Sequence, residues 1–252
     1  MLRWKSHPPP LMKRIGIVAA LPSELRVLTR HWHHHSRVAI GRIGHLDAVA
    51  TCAGMGEPAV LRACERLAAL PQEHAIDTLV SAGYAGSLSC GLRPPEAVAV
   101  GEVIDARTGE TFATDSPLDP APPAAQLKPQ RLVTLDHVAG PDEKRQLAST
   151  HQATLVDMEA ATVARFARAK NLRFLCFKAV TDGPNDELPD FGRFTAADGR
   201  LRIVAFTAWA VIHPQYWRVL GELERHSRAG SQELAKLLLA NFASPPVSSS
   251  VS

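Results

Sequence analysis

At 252 residues, with 46% hydrophobic and 21% charged side chains, the chain has the composition of globular material large enough to bury its own core. A net charge of +3, with several basic residues crowded at the two ends, is too mild and scattered to suggest a nucleic-acid partner. Four cysteines (Cys52, Cys64, Cys90, Cys176) stand apart without a CxxC pair, the pattern of reduced thiols in a cytoplasmic protein. No apolar run approaches the ~20 residues of a spanning helix, so no stable membrane insertion is expected.

The first ten residues lack an apolar core, which argues against a secretory signal, and Met12 offers an alternative start. Residues 1–11 read as a loose extension, 12–243 as one domain and 244–252 as a frayed tail. Arg14–Ala20 is a continuous apolar run, as in a strand buried on both faces, and Pro22 opens a helix through about Arg30. Strand-like stretches at Arg37–Gly41 and Leu46–Cys52 lead to Gly54-Met55-Gly56. A helix follows with Val60, Ala63, Cys64 and Leu67 at helical spacing. Ile76–Ala82 reads as a buried strand ending in the turn-like Gly83-Tyr84-Ala85-Gly86, and Ala97–Ala106 as another strand. Residues 107–130, rich in Pro, Thr and Asp, read as a long loop of the kind that often serves as a lid. Strands at Arg131–Leu135 and Ala153–Met158 precede a helix at Ala160–Lys170 and a strand at Arg173–Val180. The remainder, about 198–241, reads as helical with breaks near Pro214 and Gly230. Strands alternating with helices predict a three-layer α/β fold, a mixed central sheet flanked by helices.

Three carboxylates stand at or just beyond the carboxyl ends of predicted strands, the edge at which open α/β sheets bind ligands. Glu24 falls within the apolar stripe of Leu21, Leu25 and Leu28, where a carboxylate needs a partner. Taken alone, a partly exposed or salt-bridged residue at the margin of the stripe is the favoured reading. Glu159 sits where a strand becomes a helix, a place the helix dipole favours for an acid, and Asp157 beside it would serve as a cap. Asp182 precedes the chain-breaking Gly183-Pro184, where an Asp is a common turn residue. The glycine segments admit either a close approach of backbone amides to a sugar or anion, or ordinary tight turns. His31, His33, His34 and His35 lack a carboxylate or cysteine at ligand spacing and read as a solvated loop.

The order of these pieces resembles the methylthioadenosine/S-adenosylhomocysteine nucleosidases within the nucleoside phosphorylase superfamily. The resemblance rests on Ile15–Leu25, Ser81–Leu88, Val156-Asp-Met-Glu-Ala160 and Phe177-Lys-Ala-Val-Thr-Asp182. It implies a nucleoside phosphorylase-like fold and cleavage of the N-glycosidic bond of a purine nucleoside, with no metal or organic cofactor and with a homodimeric assembly. Asp182 would deliver a proton to N7 of the base. Glu159 would accept the ribose hydroxyls and stabilise the cationic sugar, with Met158 packed against it. Glu24 would orient or deprotonate the attacking water. Met55, Gly83, Tyr84 and Val138 complete the implied binding residues.

The departures from the family pattern are specific. Ser81 and Tyr84 stand where phosphorylases hold phosphate, which leans toward water as nucleophile. His137-Val138-Ala139 replaces the usual aromatic residue over the base, and Lys178 stands where Arg is usual. Asp157-Met-Glu159, Thr181-Asp182 and the helical tail around His213-Pro214 and Leu220 are similar to the hopanoid-associated phosphorylase branch. That similarity implies phosphorolysis, of a nucleoside or an adenosylated lipid, as the second enzymatic reading. There Ile203–Ile212, with Trp209, Tyr216 and Trp217, would line a greasy channel, or else form an ordinary core helix or oligomer contact. A nucleoside-binding protein without turnover is the non-enzymatic alternative. The segment 107–130 carries no motif that identifies the 5′ substituent.

Overall fold

The computed structural model describes residues 12–89, 91–115, 130–189, 191–194, 196 and 202–242. The expected extension and tail, Cys90 and most of the 107–130 loop therefore lie outside the described residues. The first apolar run is strand β1 (Arg14–Ala19), paired in parallel on both sides, which explains why Ile15, Ile17 and Val18 are all buried. In chain order there follow α1 (Pro22–Thr29), β2 (His33–His35), β3 (Val38–Ile43), β4 (Leu46–Cys52), α2 (Glu57–Ala68), β5 (Thr78–Ser87) and β6 (Ala97–Asp105). The rest are β7 (Thr111–Ala113), β8 (Gln130–Thr134), α3 (Pro141–His151), β9 (Leu155–Asp157), α4 (Ala160–Ala169), β10 (Arg173–Asp182), α5 (Ile203–Val211) and α6 (Trp217–Phe242).

The sheet runs β10-β6-β8-β9-β5-β1-β4-β3-β2, with β7 on β6 and a further pairing of β10 to β5. That last pairing closes β5, β10, β6, β8 and β9 into a ring, so long β5 belongs both to the ring and to the open sheet. Parallel and antiparallel neighbours mix, as expected.

Two-residue periodicity divides the core into layers. On one face, Phe174, Cys176 and Val180 of β10 meet α2 and α4 through Leu67, Val163 and Ala167. On the other, Leu175, Phe177 and Ala179 meet α6 through Leu234, Leu238 and Phe242, with Leu25 of α1 alongside. A third cluster seats Leu147 of α3 against Ile104, Val133 and Val156.

Several elements differ from expectation. Gly83–Gly86 is no turn, because β5 continues to Ser87 with β10 and β9 as partners. Part of the expected long loop pairs as β7, and His33–His35 forms an exposed edge strand against β3 rather than a loop. Gly230 does not interrupt α6. It packs against Ala179 and Tyr84, where its missing side chain brings the helix close to the sheet. Helix α3 carries too few apolar residues for periodicity to reveal it.

Candidate active site

Strand ends β1, β4, β5, β8, β9 and β10 meet on one edge, and there a cleft of about 580 Å³ opens, closed over by α1 and α6. Its wall includes Glu24, Met55, Tyr84, Val138, Met158, Glu159 and Asp182. The three carboxylates, the outermost 158 positions apart, thus share one cavity. Gly83 of the expected binding set lies behind Glu24 instead of on the wall.

Glu24 is buried, and its position follows from two backbone amides. As third residue of α1 it reaches back so that Leu21 N–H donates to Oε2 at 2.7 Å. Oε1 accepts from Tyr84 N–H at 2.8 Å. The carboxylate itself lies flat on Gly83, where an added Cβ would stand 2.7 Å from Oε1. The glycine segment thus receives one of the protein's own anions. Burial pushes Glu24 above the usual carboxylate range, partly opposed by the Leu21 and Tyr84 amides and by Lys178.

Asp182 owes its aim to a bulge. Val180 pairs with Ala85, but the next partner of β5, Gly86, pairs with Asp182, so Thr181 is the extra residue. The bulge turns Asp182 into the cleft, where its Oδ2 lies over Gly86, 2.7 Å from where a Cβ would be. Thr181 Oγ1 donates to Oδ1 at 3.1 Å. The ammonium of Lys144, only 1% exposed, donates to Oδ2 at 2.6 Å and to Gly183 O at 2.7 Å. No apolar stripe marks Lys144 in the sequence, because α3 has few apolar residues. Its start signals, Pro141 with Asp142 and Glu143 in the first turn, were nevertheless present.

Asp157 and Glu159 divide their work. Asp157 accepts from Ala160 N–H at 2.9 Å and Thr134 Oγ1 at 2.7 Å, and pairs with buried Lys178 at 2.7 Å. It caps α4. Against the desolvation that favours a neutral amine, Asp157 holds Lys178 above the ordinary lysine range. Glu159 is left facing the cleft, half-buried, with the Gly56 amide beside it at the start of α2. Gly56 adopts φ +86°, a conformation that favours glycine. Burial, then the charge of Asp157, pushes Glu159 up to about 8.

The rest of the wall is unequal. Ser81 is sealed in the core, and the Tyr84 hydroxyl donates to Ser227 O of α6 at 2.9 Å. His137 lines the cleft between Asp136 (2.7 Å) and Glu143 (2.9 Å), whose hydrogen bonds raise it above the usual imidazole value. Leu188, Phe206, Leu220 and Leu223 add apolar surface to the wall. Trp209 stacks on His213, and Val211, Ile212 and Trp217 are exposed. Of the expected greasy segment only Phe206 reaches the cleft among the described side chains. Among the described residues no group of three or more His, Cys, Asp or Glu is arranged to hold a metal ion.

A sequence profile of the phosphorylase superfamily matches residues 14–207, more than three-quarters of the chain. The chain belongs to the phosphorylase superfamily. It is accordingly an enzyme of N-glycosidic bond cleavage. No curated relative matches the sequence of this superfamily member. Among solved structures it is similar to the Streptococcus pneumoniae 5′-methylthioadenosine/S-adenosylhomocysteine nucleosidase with a transition-state inhibitor (19% identity, TM-score 0.68, 91% of this chain and 98% of that one). The Streptococcus pyogenes S-adenosylhomocysteine nucleosidase in complex with 5-methylthiotubericidin is comparable, at 17% identity and TM-score 0.68 over 96% and 100%. Futalosine hydrolase of Helicobacter pylori reaches 13% identity and TM-score 0.65 over 92% and 97%. At these identities the likeness establishes the shared fold of this phosphorylase-superfamily chain.

Proposed function

We propose that this enzyme hydrolyses the N-glycosidic bond of a purine nucleoside, with adenine as the base released. The observation that carries the reading is the convergence of Glu24, Glu159 and Asp182 on one cleft, each held by different elements. Asp182 gives a proton to N7, the C1′–N9 electron pair leaves with the base, and Glu159 faces the cationic sugar. Water attacks C1′, and Glu24 takes its proton. Burial suits Glu24 to that task, since a raised carboxyl is a better base near neutrality. The logic parallels the paired carboxylates of glycoside hydrolysis.

Water is favoured over phosphate by two contacts. Ser81 lies in the core and the Tyr84 hydroxyl is engaged by α6, so neither offers a donor to a phosphate. The Glu24 carboxylate already occupies the Tyr84 amide. A homodimer in the cytoplasm belongs to the same proposal and rests on the family resemblance. A second reading, an adenosylated substrate with a large apolar 5′ substituent, is favoured by Leu188, Phe206, Leu220 and Leu223 in the wall of the cleft.

The test is adenine release from methylthioadenosine, S-adenosylhomocysteine and adenosine, with and without phosphate. Release without phosphate, reduced by about 10²-fold or more in Asp182→Asn, is the expected result. Release only with phosphate would overturn the hydrolytic reading. Silence on all three, with release from a 5′-alkylated adenosine, would favour the second.

A further inference from the structure

The reaction written above loads one unexplained burden on Asp182. The carboxyl that surrenders a proton to N7 is left as a carboxylate in a buried place, and a buried charge without a partner is costly. The partner is already there. Lys144 Nζ stands 2.6 Å from Asp182 Oδ2 and is only 1% exposed. It also donates to Gly183 O, so one ammonium ties the side chain of Asp182 to the backbone that follows it. Gly86 leaves the room for Oδ2 on the strand beneath. The lysine comes from α3, whose other buried side chain, Leu147, anchors the helix on β6, β8 and β9. Lys144 and Leu147 are the two buried residues of α3, and a lysine turned inward beside an apolar anchor is accounted for by its partner Asp182.

We infer that Lys144 is a positioning residue for the proton donor, holding Asp182 aimed into the cleft and stabilising the carboxylate formed as the proton leaves. This rests on the hydrolytic reading and adds a residue to it. Lys144 acts through Asp182 and exchanges no proton with substrate. Its contribution is therefore confined to substrates whose leaving group must be protonated.

That restriction gives the test. Lys144→Met, Lys144→Arg, Asp182→Asn and the double variant Lys144→Met/Asp182→Asn are compared on a purine nucleoside and on 4-nitrophenyl β-D-riboside, whose leaving group departs as a stable anion. On the nucleoside, Lys144→Met is expected to lose roughly 10²-fold in kcat with KM little changed, and Lys144→Arg to recover part of it. On the nitrophenyl riboside it keeps most of its rate. The double variant matches Asp182→Asn, because residues acting as a unit are not additive. The double variant removes both buried charges together, so it reports even if Lys144→Met alone does not fold. Equal losses on the two glycosides, or a double variant well below Asp182→Asn, would overturn the inference. If the wild-type enzyme cleaves neither glycoside, the hydrolytic reading itself fails and the inference goes with it.

Discussion

Two glycines decide where two carboxylates lie. Gly83 supports Glu24 and Gly86 supports Asp182, each with no room for a methyl group beneath the carboxylate oxygen. Gly83→Ala and Gly86→Ala are therefore expected to displace their carboxylates and to lower kcat by about 10²-fold, the scale of a misplaced catalytic group. Gly140→Ala, where an added Cβ meets nothing within 4 Å, is the control that stays near wild type. Steady-state rates on the best substrate settle this, and parity among the three variants would refute it. The sequence displays these glycines and leaves open either a close approach to a sugar or anion or an ordinary tight turn. The anions proved to be the protein's own carboxylates, a fact that depends on which strand α1 and β10 lie against.

Among elements, α6 has the largest double duty. Its C-terminal half packs into the core, while Leu220, Leu223 and Ser227 of its N-terminal half wall the cleft. Leu238 is fully buried and its neighbour Leu239 is 46% exposed. Leu238→Ala should destabilise by about 2–5 kcal/mol, whereas Leu239→Ala should stay within about 0.5 kcal/mol. Urea unfolding distinguishes the two, and similar losses would mean that α6 is not seated as described. Helix α3 teaches the complementary lesson. Periodicity of apolar residues could not reveal it, because its inward stripe begins with Lys144, whereas Pro141 and the acids after it could have.

For the whole molecule, the buried carboxyls set the direction in which stability responds to pH. Glu159 is raised from an ordinary 4.5 to about 8, so the folded protein holds a proton there that the unfolded chain releases. Stability from this group is present in full below 4.5 and is lost as pH rises toward about 8. Glu24, also raised, acts in the same direction. Denaturant midpoints should therefore decline across that window, and Glu159→Gln should flatten the decline. A wild-type midpoint that rises with pH there, or an unchanged slope in the variant, would refute the assignment.

The alternating α/β plan, most strands and helices, and the three carboxylates with their order along the chain were legible in the residue pattern alone. They were so because buried strands and amphipathic helices write their period into neighbouring residues, and motif spacing is local. The sequence also held the material for the family resemblance, since Met158-Glu159 and Thr181-Asp182 are contiguous. Only the folded arrangement shows which acid is held by partners and which faces the cleft. Asp157 became a cap because Thr134 and Lys178, from two other strands, close on it, and that freed Glu159 for the cleft. Lys144 became the partner of Asp182 only through the seating of α3 and the bulge at Thr181. Such pairings join residues 21 to 38 positions apart in this case, and their energy depends on burial and distance, neither of which a linear pattern encodes.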